Sequence, residues 1–148
     1  MPALPANFLN ILKSKLETDF VPLLPELLNK ERPKADQDKK QLSRAFSGFV
    51  LHKMLNLGIA DAARSVVDDF DDNGLDAIHY EATSKTLYLV QTKFREREQF
   101  DEEDAIHFRS GADLLLSQRY ERFNANVQCR KDELGKVCKT RRQGASLA

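Results

Sequence analysis

In the stretch of residues 66–94, VVDDFDDNGLDAIHYEATSKTLYLVQTKF, the hydrophobic period changes from helical to strand-like. Within it Asp76-Ala77-Ile78-His79-Tyr80 alternates, and Thr86-Leu87-Tyr88-Leu89-Val90 is apolar and β-branched. Between them Thr83-Ser84-Lys85 has the chemistry of a tight turn. Branched and aromatic side chains suit a pleated, half-buried surface, so the pattern predicts a hairpin that pairs 76–81 with 86–92. Ser65-Val66-Val67 suits the start of a third strand, and Asp71-Asp72-Asn73-Gly74 is dense in turn formers.

Outward from the hairpin the period becomes helical. Over 39–57, Leu42, Ala45, Phe46, Phe49, Val50 and Leu57 share a face, with Asp36 or Asp38 as the N-terminal cap and Gly58 as the C-cap. Ala60 to Arg64 adds a turn. Further upstream, Phe8, Leu9, Leu12 and Leu16 predict a helix over 6–19. Pro22 and Pro25 punctuate the chain, Pro25 suits the first turn of a short helix over 26–30, and 30–41 reads as a polar connector. Downstream, Glu102-Glu103-Asp104 favours a helix start, and Ala105, Phe108, Ala112, Leu115 and Phe123 recur at core spacing through 102–123. A last helix over 127–142 is expected to break at Gly135, and 144–148 to be a disordered tail. The expected fold is α/β, a small and mainly antiparallel sheet flanked by helices. The division is an N-terminal helical segment (1–35), an α/β domain (36–143) and the tail.

Composition bounds the function. The chain has 148 residues, 41% hydrophobic and 31% charged, enough for a core without covalent staples. No apolar run reaches the length of a membrane span, and the N-terminus lacks the basic start of a secretory signal. With two cysteines, Cys129 and Cys138, there is neither a disulfide framework nor a closed zinc site. These features read as a soluble, cytoplasmic protein that does not engage membranes. Lys+Arg and Asp+Glu balance at 23 each, which argues against nucleic-acid binding by bulk charge alone. The charges are nonetheless segregated. Asp68, Asp69, Asp71, Asp72 and Asp76 stand together without a base, whereas 128–142 holds Arg130, Lys131, Lys136, Lys139, Arg141 and Arg142. That distribution suits a metal site facing a phosphate backbone, and it equally suits solvated loops.

The chemistry-bearing set is Asp76, Gln91 and Lys93. Residues two apart on a strand share a face, so Gln91 and Lys93 project together, and antiparallel pairing brings Asp76 close to them. Carboxylate and amide oxygens hold a hard cation such as Mg²⁺, and a lysine beside it orients water or stabilises charge on phosphorus. The bland reading is a turn aspartate, a surface glutamine and a lysine that snorkels to solvent.

Asp76…Gln91-x-Lys93 on a hairpin that follows a long helix resembles the D…(D/E/Q)xK core of the PD-(D/E)XK nuclease superfamily, in its glutamine variant. Residues 66–94 resemble more closely the N-terminal segment of abortive-infection phage-resistance (AIPR) proteins. There a Gly-[Ile/Leu]-Asp-Ala-Ile strand precedes a [Leu/Ile]-[Val/Ile]-Gln-[Ser/Thr]-Lys-aromatic strand, here ending on Phe94. The resemblance implies a restriction-endonuclease-like core and a Mg²⁺- or Mn²⁺-dependent endonuclease acting on DNA or RNA. Its metal ligands would be Asp76 and Gln91, and its catalytic cation Lys93. Two departures stand out. Many superfamily members carry a Glu after a Phe on the first core helix, whereas Phe46 is followed here by Ser47, and 42–57 contains no acid. Asp72 is the substitute ligand the acidic run offers. The superfamily core also ends in a further strand, and no strong strand signal follows residue 123.

Two rival functions accompany the nuclease: a domain of the same fold that binds nucleic acid or protein without cutting, and a calcium module. The latter rests on Asp69-x-Asp71-x-Asn73-Gly74, the first half of an EF-hand loop, but position 12 falls on Tyr80 and the following residues read as strand, not helix. His52, His79 and His107 share no ligand spacing. The apolar N-terminal residues, with Leu23, Leu24, Leu27 and Leu28, exceed what a small domain needs, which favours a homodimer or docking onto further domains of a longer chain.

Overall fold

The structure is a computed structural model that describes residues 5–94 and 100–145, with side chains to residue 139. Helix α1 (Ala6–Lys15) runs into a π turn (Leu16–Phe20) and a 3-10 turn (Val21–Leu23). After an irregular segment come α2 (Lys34–Leu55) and α3 (Ile59–Arg64), then the strands β1 (Ala77–Glu81) and β2 (Thr86–Val90). Helix α4 (Glu102–Leu116), a 3-10 turn (Tyr120–Arg122), α5 (Ala125–Gln128) and α6 (Lys131–Ala145) complete the order. The strands pair antiparallel, Ala77 with Val90 through Glu81 with Thr86, as the alternation predicts. Val66 adds a lone bridge to Ala77, so the third strand is reduced to one pair.

Strand alternation explains the layering. Ala77 and Val90 are paired and belong to one apolar cluster, with Leu16 and Phe20 from the N-terminal turn, Ala45 and Leu51 from α2, and Ala62 from α3. Their neighbours Ile78 and Leu89 are also paired but belong to a second cluster, with Leu115, Phe123, Val127 and Leu134. Successive side chains point to opposite faces, so a two-stranded sheet serves two helical layers at once. Leu16 and Phe20 are fully buried, which makes the N-terminal segment part of the first core, while Phe8, Ile11 and Leu23 remain exposed.

Several boundaries differ from expectation. Helix α2 starts earlier, with Pro33 at its N-cap, and Asp36 and Asp38 lie inside it. Asp38 pairs there with Lys34 at 2.9 Å. The helix stops at Asn56 in the left-handed region (φ 53°), a conformation Asn tolerates, and Gly58 instead precedes α3. No helix forms over 26–30 because tertiary partners claim the backbone there: Pro25 O accepts from Arg44, and Leu28 N donates to Asp69. Ala105 is exposed, and Phe123 lies beyond the end of α4. Helix α6 runs through Gly135 and reaches Ala145, so the expected tail begins inside a helix, and 146–148 lie outside the described residues.

Candidate metal centre

The loop between Val66 and β1 builds the site. Val67 N and Asp68 N both donate to Asp76 O (2.9 and 3.0 Å), which folds the loop back on itself. Asp71, Asn73 and Gly74 take positive φ (53°, 54° and 80°), the turn chemistry that Asp-Asp-Asn-Gly announces. On the other side Gly111 of α4 faces the turn, and a Cβ there would lie 2.0 Å from Asn73 O. Asn124 holds the loop from below, donating through Nδ2 to Val67 O and Phe70 O at 2.9 Å each.

This arrangement brings Asp68, Asp72 and Asp76 together, with one carboxylate oxygen from each within 4.8 Å of the others. Asp76 Oδ2 accepts from Thr92 N at 2.6 Å, and Asp72 Oδ1 from Gly74 N at 2.9 Å. Asp68 is buried and ion-paired to Lys40 of α2. Arg44, fully buried, donates Nε to Asp68 O (2.8 Å), one Nη to Gln41 and the other to Pro25 O. Burial drives the Asp76 carboxyl up to about 7, helped by the charges of Asp68 and Asp72 and opposed by the Thr92 N–H. Burial likewise lifts Asp72 to about 6, with Asp68 adding to it and the Gly74 N–H opposing. Crowded carboxylates deprived of water favour any cation that neutralises them. Oxygen donors at these separations suit a hard divalent ion such as Mg²⁺ or Mn²⁺.

Of the residues expected from sequence, Asp72 and Asp76 meet in this cluster, and Gln91 and Lys93 flank Thr92, whose N–H holds the Asp76 carboxylate. Strand β2 ends at Val90, and Gln91, Thr92 and Lys93 line a cleft with Phe46 and Phe100. Lys93 Nζ donates to Asp104 Oδ1 of α4 at 2.6 Å, and both side chains are about one-fifth exposed. Among the described residues, the cation ion-paired to the cluster is Lys40. Asp68 was one of five neighbouring aspartates in the sequence, and nothing there singles it out. Ser47, which follows Phe46 on α2, is fully buried and its Oγ lies 2.7 Å from Thr92 Oγ1, one residue's bond away from Asp76. The EF-hand pattern does not converge, since both Asp69 oxygens accept backbone N–H groups (Leu28 and Phe70), Asp71 is exposed, and Tyr80 lies in β1. His52 bonds Leu57 O, His79 bonds Ser65, and Cys129 and Cys138 are not joined in a disulfide. Comparison with protein-family models, curated proteins and solved structures returned no match. Among the described residues, no helix is long and apolar enough to cross a membrane.

Proposed function

We propose that this chain is a nuclease-like domain of a phage-defence (abortive-infection) protein, hydrolysing nucleic-acid phosphodiesters with Mg²⁺ or Mn²⁺ held by Asp68, Asp72 and Asp76. The observation that carries the reading is the convergence of these carboxylates at the start of a hairpin that bears the D…QxK pattern. When bound, the metal supplies Lewis acidity and a water of lowered pKa. The protein's own contribution is placement. The Thr92 N–H fixes the Asp76 carboxylate, the Gly74 N–H fixes Asp72, and Arg44 holds the backbone that carries Asp68. Lys93 serves as the cation for the reacting phosphate once that phosphate competes with Asp104, or Lys40 serves from Asp68.

The restriction-endonuclease-like core belongs to the same proposal. The rival is a domain of this type that binds without cutting, and a specific observation favours it: Lys93 is engaged by Asp104, and α2 presents Ser47 rather than an acid toward Thr92. Plasmid DNA and single-stranded RNA incubated with the protein and Mg²⁺ or Mn²⁺ separate the two. Asp76→Asn is expected to lower cleavage by orders of magnitude, as loss of a transition-state electrostatic partner does. Lys93→Ala and Lys40→Ala then identify the working cation by which of them is inactive. Wild-type protein that binds either substrate and leaves it intact establishes the rival.

A further inference from the structure

Beside the carboxylate cluster lies a groove of about 540 Å³, lined among others by Arg32, Lys39, Lys40, Asp69 and Phe70. Lys40 joins groove to cluster, since its ammonium pairs with Asp68. Arg32 and Lys39 are exposed, and among the described residues neither takes part in an ion pair. Asp36 also faces the groove, but the second acid, Asp69, has both oxygens committed to the backbone N–H groups of Leu28 and Phe70. Phe70 is 53% exposed on a backbone fixed from both sides, its N–H bonded to Asp69 and its carbonyl to Asn124. A large apolar ring presented outward from a pinned loop is pre-organised to receive a partner's flat face.

We propose that this groove binds one strand of single-stranded nucleic acid, with phosphates on Arg32 and Lys39 and a base stacked on Phe70, leading the strand past Lys40 toward Asp68. The ligand class rests on the function proposed above; the strandedness comes from the groove. Cations track a phosphate backbone, and an aromatic ring stacks on bases that are splayed out, which duplex bases are not.

The test is fluorescence anisotropy with a labelled oligonucleotide of about 12 nucleotides, a length within the range of single-strand site sizes. EDTA is present throughout, a salt series is run, and a matched duplex is the control. Phe70→Ala is expected to weaken single-strand binding about tenfold and leave the salt slope unchanged, as loss of a stacking platform does. The double variant Arg32→Ala with Lys39→Ala is expected to lower the salt slope by roughly 1.4, about 0.7 for each lost phosphate contact. All these residues are exposed, so folding is not at stake, and circular dichroism checks it. Single-strand binding equal to wild type in either variant overturns the proposal, as does absence of single-strand binding by wild type. Duplex binding that is tighter than single-strand binding and indifferent to Phe70→Ala overturns it too. Cleavage is scored separately: the predicted binding with no cleavage under Mg²⁺ removes hydrolysis and leaves the groove, and cleavage with unaltered binding in the variants does the reverse.

Discussion

Asp76 carries the account at the residue scale. Its carboxyl is raised from 3.8 to about 7, chiefly by burial, and that of Asp72 from 3.8 to about 6. Between these limits the metal-free folded state keeps protons that the unfolded chain has lost. Unfolding free energy therefore falls as pH rises from about 4 to about 7. Urea melts in EDTA across that range should show the decline, and Asp76→Asn should flatten it, since an amide does not ionise. Added Mn²⁺ should restore stability most at the alkaline end, where the ligands are ionised. A metal-free protein that becomes steadily more stable through the same window would contradict this placement of charge. The aspartate was legible in the sequence because it opens a strand next to a turn. Its partner Asp68 was not, because the spacing of 68, 72 and 76 matches one face of a helix, whereas these residues sit on a folded-back loop whose path is set by tertiary contacts such as those of Arg44, Asn124 and Gly111 and by the Asp76 carbonyl. Strand β2 ends at Val90, whose carbonyl accepts from Asp76 N, and just beyond it Thr92 N donates to the Asp76 carboxylate.

Elements differ in how much they reveal. The hairpin was legible from alternation and turn residues, and Glu81 secures it by accepting from Ser84 N at 2.5 Å. The turn's bonds hold that carboxyl down to about 2. Two glycines of opposite meaning test the helix packing. At Gly111 a Cβ would sit 2.0 Å from the Asn73 carbonyl oxygen, and both backbones must separate to admit it. Gly111→Ala should therefore destabilise by about 1–3 kcal/mol, as overpacking does, and loosen the aspartate-bearing loop with it. At Gly135 the nearest atoms, Gln118 Oε1 and Tyr120 OH, lie 3.7 and 3.8 Å from the same Cβ position, ordinary contact. Gly135→Ala should stabilise α6 by roughly 0.5–1 kcal/mol through helix propensity. Denaturant midpoints at constant slope check both. Sequence alone marks Gly135 as a possible breaker and passes over Gly111, because close approach is a tertiary property; the same limitation hid Asn56 as the cap of α2.

For the whole molecule, the two-faced hairpin makes one cooperative unit of two clusters. Ala77 and Ile78 are adjacent in the chain and fully buried in different clusters, so neither helical layer can open without exposing the strand that serves the other. Thermal unfolding followed by far-ultraviolet circular dichroism and by tyrosine fluorescence should give coincident single transitions; two separated transitions would show that the layers fold independently. The layered arrangement was readable from the order of elements. That the N-terminal turn supplies Leu16 and Phe20 to the first core was not, since an apolar helix face looks the same whether it packs inward or against a partner. The central claim remains the carboxylate cluster, and Mn²⁺ titration followed by electron paramagnetic resonance at neutral pH tests it most directly. Wild type should show saturable loss of the free-ion signal, abolished by Asp72→Asn and by Asp76→Asn and retained by Asp71→Asn at the exposed neighbouring position. A free-ion signal undiminished in wild type at millimolar Mn²⁺, or diminished equally in all three variants, would contradict it.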